Sequence, residues 1–505
     1  MLQENRGEYI PSPKLIKNLK KKGVDTGFLL SFLKDLDAGK FVPSQFYTDC
    51  SVPPLTHPSI IDRRVSPLVS IPTIRLERLI KTHNLGIRAE DVSISVGDSI
   101  VYLGRDQLYK LGVYLFSKTA YGILNGGSAT SYADYKKNYA FCPQYIDKYP
   151  REFRKFARMC SGVPKGITPA YITENLKPGY SFMFLKFLML LRNKLEYSKL
   201  TGRTAEGILP AFQMTSLQTH KPLLSMYKKY EKSQLLRDLA LKAGCRPIEI
   251  YTGMQPLIAA LTPREEGENR RIFDRAYGKK DTGIPLPGGH GQNFKVLEPV
   301  YKMLYEKGIR YIWLGNVDNT GYTVDPVSLA LFALSDKEAA FETSVKTAMD
   351  TKGGIIIQEK SGRLNCADIG SGISREMVQD FEKQGKTLLF NCGLGLFNLE
   401  KLLKRLPTLQ YEIPLRISEQ DKDSGRYAQA EQNTWEIIGT IKNPLFFAVE
   451  KNKRFVAAKL LMETILSSSS SEKLESLSLN PGLLEAALYS ATGMKNLLQN
   501  DYGIG

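Results

Sequence analysis

The sequence predicts an α/β protein built on a largely parallel or mixed sheet, with a helical N-terminal lobe and a small C-terminal region. Three observations carry this reading. From about residue 116, apolar runs of strand length end in Gly, Asn, Asp or Pro. Each run is followed by a stretch with helical spacing, the alternation expected of strands crossing over through helices. The chain of 505 residues is 42% apolar and 24% charged, an ordinary balance for a globular protein with room for two to four domains of roughly 100–200 residues.

Residues 1–115 are expected to form a mostly helical N-terminal region. Leu15, Ile16 and Leu19 have helical spacing, and Lys14, Lys17, Lys20, Lys21 and Lys22 surround them as a solvated face. A second helical pattern runs over Ile74–Lys81, between proline-rich pieces. The core is expected over 116–410. Its candidate strands are Ala120–Leu124, Ile208–Met214, Ile248–Thr252, Tyr311–Leu314, Gly354–Gln358 and Thr387–Phe390. Its candidate helices are Ser181–Glu196, Lys221–Leu241, Val296–Lys307 and Ser374–Gln384. The last part, 411–505, is expected to open with a strand at Tyr411–Ile417 and a helix over Thr434–Phe446. A serine-rich loop at Ser467–Ser471 and a helical tail from Leu484 to Asn500 follow.

Net charge is +17, which suits either nucleic acid or a small anionic substrate. No RRM, KH or zinc-finger signature is present, so no nucleic-acid partner is expected. The six cysteines form no CxxC and the four histidines no HxxxH, which argues against a disulfide framework or a zinc site and fits a reducing cytoplasm. The most apolar run, Phe182–Leu191, is broken by Lys186 and is about half a membrane span, so it reads as a buried helix and no membrane association is expected.

In parallel or mixed sheets ligands bind beyond the carboxyl ends of strands, so the motifs there matter most. Leu124-Asn125-Gly126-Gly127-Ser128-Ala129-Thr130-Ser131 follows a strand pattern, and adjacent glycines let backbone N–H groups approach phosphate. Gly162-Val163-Pro164-Lys165-Gly166 puts an ammonium on a constrained loop, a point charge suited to phosphate oxygens. Pro287-Gly288-Gly289-His290-Gly291 has little side-chain bulk, so a flat base could lie against it. Trp313-Leu314-Gly315-Asn316-Val317-Asp318-Asn319 ends a strand in a carboxylate, a natural Mg²⁺ ligand. Lys346–Gly354 and Arg454–Lys459 complete the set; each alone reads as solvated surface.

In this order the motifs resemble the UTP–glucose-1-phosphate uridylyltransferase family, the UDP-sugar pyrophosphorylases. That family carries LNGGLGTS, a Pro-Lys lysine, a Met-x-Ser segment, PPGHGD, NxDN, KTxADxKGG and RFxPVK. The counterparts here are the loop at 124–131, Pro164-Lys165, Met214-Thr215-Ser216, the loop at 287–291, Asn316–Asn319, 346–354 and Arg454–Lys459. The resemblance implies a Rossmann-like α/β/α nucleotidyltransferase core. It implies that UTP is held by Leu124, Asn125, Gly126, Gly127 and Thr130 together with Gln255, Gly289, His290 and Gly291. Asp318 would hold Mg²⁺, Lys165 and Lys459 would act on the phosphates, and Asn316, Lys346 and Asn391 would lie toward the sugar phosphate. The expected partners are UTP and a sugar 1-phosphate, with glucose 1-phosphate first and N-acetylglucosamine 1-phosphate second. A sugar-nucleotide-binding protein without activity is the third reading.

The chain departs from the family at several points. Ser128-Ala129 replaces Leu-Gly, Gln292 replaces the aspartate after GHG, and Cys392-Gly393 replaces part of an Asn-Thr-Asn-Asn segment, expected as a loop over 391–395. The 34 residues between Thr130 and Lys165 exceed the family's usual spacing, so Lys136 and Lys137 are rivals for the activating lysine. The tail beyond Lys459 is expected to be helical, without the left-handed β-helix of larger members.

Overall fold

The computed structural model describes residues 9–96, 99–127, 132–263, 269–347 and 350–504. Thr130, with Ser128 and Ala129 of the first glycine motif, lies outside them. The chain divides into two compact units, each assembled from separate stretches. The larger comprises Phe46–Gly253, Leu297–Lys404 and Ile441–Gly505; the smaller comprises Met1–Gln45, Met254–Val296 and Arg405–Thr440.

The larger unit is organised on a ten-stranded sheet. Its strands are β1 (Ile60–Asp62), β2 (Thr119–Leu124), β3 (Ala211–Ser216), β4 (Ile250–Gln255), β5 (Tyr311–Asn316), β6 (Ala339–Val345), β7 (Gly354–Gln358), β8 (Leu364–Asp368), β9 (Leu389–Asn398) and β10 (Leu445–Val449). The spatial order is β1-β10-β6-β9-β5-β2-β3-β4, with the β7–β8 hairpin attached to β9. β5, β2 and β3 run parallel, as do β1, β10 and β6, while β9 is antiparallel to both β5 and β6. The sheet is therefore mixed, as the sequence predicts. Every residue of β2 and β10 is buried, which requires cover on both sheet faces.

One such cover is the helix Phe182–Thr201. Ser181 caps it through a hydrogen bond from the Phe184 amide, and its first ten residues are all buried, as expected for the apolar run. The helix predicted over Lys221–Leu241 is interrupted: it forms as His220–Tyr230 and Gln234–Ala243, because Glu231–Ser233 turn and Ser233 starts a new N-terminus.

Three expectations are corrected. The segment 391–395 is no loop: it runs through the middle of β9, which pairs on both sides and bulges opposite Phe341–Thr343. Thr434–Phe446 is not one helix. A 3₁₀ turn spans Thr434–Thr440, and Leu445–Val449 is a buried parallel strand between β1 and β6. Four consecutive apolar residues, Leu445 to Ala448, suit a strand covered on both faces as well as a helix, and sheet pairing decides. Finally, Tyr411 closes the helix Leu399–Glu412, so the strand predicted there begins only at Leu415.

Residues 46–115 also supply β1 and a three-stranded antiparallel sheet from Val69–Pro72, Ser95–Val96 and Ile100–Leu103. The tail folds as the helices Leu461–Ser467, Ser471–Glu475 and Pro481–Asn500.

The smaller unit packs helices Pro13–Lys21 and Thr26–Asp37 with two antiparallel strand pairs. These are Leu257–Ala259 with Pro285–Pro287, and Leu415–Lys422 with Gly425–Gln432. Leu15, Leu19, Leu29, Phe32, Ile258 and Ala428 form its buried core.

Candidate active site

In the larger unit, three motifs meet beyond the carboxyl ends of β2 and β5. The Asn125 backbone N–H donates to the Met214 carbonyl at 2.9 Å, extending the β2–β3 pairing by one step. Its side-chain nitrogen donates to Gln213 Oε1 at 3.0 Å and Tyr227 Oη at 3.2 Å, and Tyr227 donates to the same Gln213 oxygen at 2.8 Å. Asn125 is thus fully buried in a network under the turn. Leu124 is the last residue of β2, and Gly126 and Gly127 come to the surface beyond it. Among the described residues the amides of Gly126 and Gly127 donate no hydrogen bond, leaving a pair of backbone donors at a strand end.

Lys165 is joined to this turn by its own amide, which donates to the Gly127 carbonyl at 3.0 Å. The next residue must be glycine: a Cβ on Gly166 would collide with the Asn125 side-chain amide. Lys165 is only 6% exposed, although the sequence places it on a loop. Its Nζ lies 3.1 Å from the centroid of the Tyr132 ring and donates to the Ala458 carbonyl. Burial pushes its pKa down to about 8, partly opposed by the carboxylates of Asp318 and Glu463. The rivals Lys136 and Lys137 are both exposed on the short helix Tyr135–Phe141.

The strand end at Asn316–Asn319 is stitched to Arg454–Lys459. Asn319 Oδ1 accepts from Gly321 N at 2.9 Å and Val456 N at 3.0 Å, while its Nδ2 donates to the Arg454 carbonyl at 2.9 Å. Thr320 N donates to the Val456 carbonyl at 2.9 Å, and Ala458 N to the Asp318 carbonyl at 3.1 Å. The half-buried Asp318 carboxylate accepts no hydrogen bond among the described residues. Asn316 is half-buried at the tip of β5. Lys459 is exposed just past the stitched segment.

Arg454 serves the fold: it is buried, with its guanidinium on both oxygens of fully buried Glu342, at 2.8 and 2.7 Å. Glu463, four residues after Lys459, accepts from the Leu460 amide at 2.7 Å and starts the helix Leu461–Ser467. Burial raises its pKa, opposed by backbone donors and by Lys165 and Lys459.

Lys346 lies at the end of β6 and pairs with Glu382 at 2.6 Å. Asn391 is inside β9, where its Oδ1 accepts from the Gly393 amide at 2.9 Å. Asp350 is bound by Lys451, a residue the sequence did not single out, and by the Thr347 amide at 2.8 Å.

The other expected UTP residues belong to the smaller unit. The side-chain nitrogen of Gln255 donates to the Gly289 carbonyl at 2.7 Å and to Gln292 Oε1 at 3.0 Å. His290 Nδ1 lies 2.8 Å from Thr434 Oγ1. Gly289 has φ 81°, and a Cβ on it would strike the backbone of Gln432; Gly291 meets the same residue. These glycines let the turn pack on the hairpin end at Gln432. Gln292, which replaces the family's aspartate, is a partner of Gln255.

No group of three or more His, Cys, Asp or Glu side chains that could hold a metal ion occurs among the described residues. Asp318 fits a different kind of site. A half-buried carboxylate at a strand end that accepts no hydrogen bond among the described residues suits Mg²⁺, which takes one or two carboxylates and completes its shell with substrate phosphates and water.

A model of the UTP–glucose-1-phosphate uridylyltransferase family matches residues 185–484, more than half of the chain. Among curated relatives, the UTP–glucose-1-phosphate uridylyltransferase of Encephalitozoon cuniculi is 26% identical over 235 residues, 46% of each chain. That of Solanum tuberosum is 27% identical over 241 residues, 45% of this chain and 46% of its own. The chain thus matches about half the length of these relatives. Among solved structures, a UDP-glucose pyrophosphorylase variant from Leishmania major in complex with UDP-glucose aligns with TM-score 0.55 and 17% identity. The alignment covers 92% of this chain and 80% of that one. A proposed UDP-N-acetylglucosamine pyrophosphorylase from Entamoeba histolytica aligns with TM-score 0.50 and 19% identity over 70% and 79%. These likenesses establish a shared fold.

Proposed function

The chain belongs to the UTP–glucose-1-phosphate uridylyltransferase family, and on that premise we propose that it transfers UMP from UTP to a sugar 1-phosphate, with glucose 1-phosphate as the sugar. The observation that carries this is the joining of three motifs at one strand-end cluster. Lys165, the Gly126-Gly127 turn and the Asp318-bearing strand end are hydrogen-bonded together through Gly127 and Ala458.

In the proposed reaction a phosphate oxygen of the sugar 1-phosphate attacks the α-phosphorus of UTP in line, and the bond to pyrophosphate breaks. The attacking monoester has a second pKa of about 6 and is mostly dianionic at pH 7, so no general base is needed. Positioning and charge neutralisation carry the catalysis. The amides of Gly126 and Gly127 would bind phosphate oxygens of UTP. Lys165, which keeps its proton below about pH 8, would neutralise the triphosphate. Lys459, exposed beside the stitched segment, would meet the incoming phosphate. Asp318 would hold Mg²⁺, which when bound lowers the charge on the reacting phosphates. Gln255, Gly289, His290 and Gly291 are proposed as further nucleotide-binding residues. The free thiol state of all six cysteines supports a cytoplasmic setting, and no described helix is long and apolar enough to cross a membrane.

N-acetylglucosamine 1-phosphate is the second reading. Gly393 has φ 61° in β9, beside Cys392, where the family carries asparagines. That bulge alters the strand bearing Asn391. The experiment is pyrophosphate release from UTP with Mg²⁺ and each sugar 1-phosphate in parallel. Release with one sugar, lost in Asp318→Ala, supports the reaction and names the substrate. UTP binding without release would point instead to a nucleotide-binding protein without transferase activity.

A further inference from the structure

The turn that follows Asp318 is held by three buried side chains far away in sequence. Lys186 sits on the helix Phe182–Thr201 and is completely inaccessible to solvent. Its Nζ donates to the carbonyl of Asn319 at 2.6 Å and of Tyr322 at 2.7 Å. Tyr502, 1% exposed, donates its hydroxyl to the Thr320 carbonyl at 2.6 Å. Tyr121 adds a 2.6 Å bond to the Tyr322 carbonyl, and the Gly321 carbonyl accepts from Thr323 N at 2.9 Å. Every carbonyl from 319 to 322 is therefore claimed.

Burying an ammonium is costly, and leucine or methionine at 186 would continue the apolar run without that cost. The lysine must repay this in the folded state, and its two bonds both end on the turn. That turn holds Asp318 on one side. Through Asn319 it also holds the segment Arg454–Val456, which leads to Lys459. We infer that Lys186 and Tyr502 are positioning residues that fix the Asp318 turn, and with it the approach to Lys459, from outside the substrate site. This rests on the proposed role of Asp318 in uridylyl transfer. Neither residue belongs to a motif of the family resemblance.

The test uses full-length Lys186→Met, which keeps the shape of the chain and removes the two donated hydrogen bonds, and Tyr502→Phe, which removes one hydroxyl. Three quantities are read: thermal midpoint, amide hydrogen exchange over residues 317–323 in the resting protein, and kcat with KM for UTP. The expected result is exchange in that segment faster by about tenfold. kcat should fall by about tenfold or more with KM for UTP within about twofold, since misplaced catalytic groups cost turnover before binding. The midpoint of Tyr502→Phe should stay near that of the parent. Unchanged exchange in Tyr502→Phe would overturn the inference, as would faster exchange with undiminished kcat. A parent protein without transferase activity would refute the proposed function, while the exchange readout would still decide whether these side chains hold the turn.

Discussion

The ammonium of Lys165 donates to the carbonyl oxygen of Ala458, a residue 293 positions away and next to Lys459. The same Ala458 donates its amide to the Asp318 carbonyl. One residue thus links the lysine loop, the carboxylate strand end and the second lysine, and the predictions below start from that link.

Lys165→Met should lower kcat by on the order of 10² or more, as loss of one transition-state donor does. It should not lower the thermal midpoint, because it replaces a 6%-exposed ammonium with an apolar side chain of similar length. Steady-state kinetics beside a melting curve checks both. A strong loss of stability with normal turnover would assign Lys165 to the fold alone.

The pH dependence of activity and of stability should run in opposite directions. The Lys165 pKa is about 8 in the folded protein against an ordinary 10.5, so the folded state binds fewer protons between those values. Its burial cost is fully present below pH 8 and is relieved as pH rises toward 10.5, by up to about 3 kcal/mol. The stability difference between the parent and Lys165→Met should therefore narrow above pH 8, while parental kcat/KM falls as the ammonium is lost. Denaturant titrations at pH 7 and pH 9.5 measure the first effect and a rate profile the second.

Asp318→Ala should abolish turnover; its carboxylate accepts no hydrogen bond among the described residues but offsets the buried Lys165 ammonium, so the midpoint should fall slightly. Titration of Mg²⁺ against pyrophosphate release should show no rescue at high metal.

Glu342→Gln should destabilise by roughly 3–5 kcal/mol, because it leaves the buried Arg454 guanidinium without its counter-charge. Replacing both residues with apolar side chains should cost less than either single change. Equal, additive losses would show that the two charges do not act as a pair.

Gly289→Ala should destabilise by about 1–3 kcal/mol, from its φ of 81° and the collision of a Cβ with the Gln432 backbone. Gly162→Ala, at φ 70° with open space around it, should cost less. Chemical denaturation of both variants tests the comparison.

The sequence by itself determined the α/β class, the strands β2, β5 and β7 nearly to their ends, and the order of the motifs. These signals are local: an apolar run and the Gly, Asn or Asp that stops it are adjacent in the chain. It also placed Gly126-Gly127, Lys165 and Asp318 as candidates, because glycine, lysine and carboxylate in such turns suit phosphate and metal chemistry, and Lys459 through the family resemblance alone. Tertiary structure decided the rest. Leu445–Ala448 reads equally as helix or strand and becomes a strand because β1 and β6 flank it. Asn391-Cys392-Gly393 looks like a loop and is held in a strand by pairing on both sides. Lys165 looks like a loop lysine and is buried by Tyr132 and the Ala458 carbonyl. Arg454 reads as a solvated surface charge and is instead buried and paired inside the fold with Glu342. Lys186, a single charge breaking an apolar run, was visible in the chain, but its acceptors lie 133 and 136 residues away. Burial and long-range hydrogen bonds depend on which strands become neighbours, and no local pattern encodes that order.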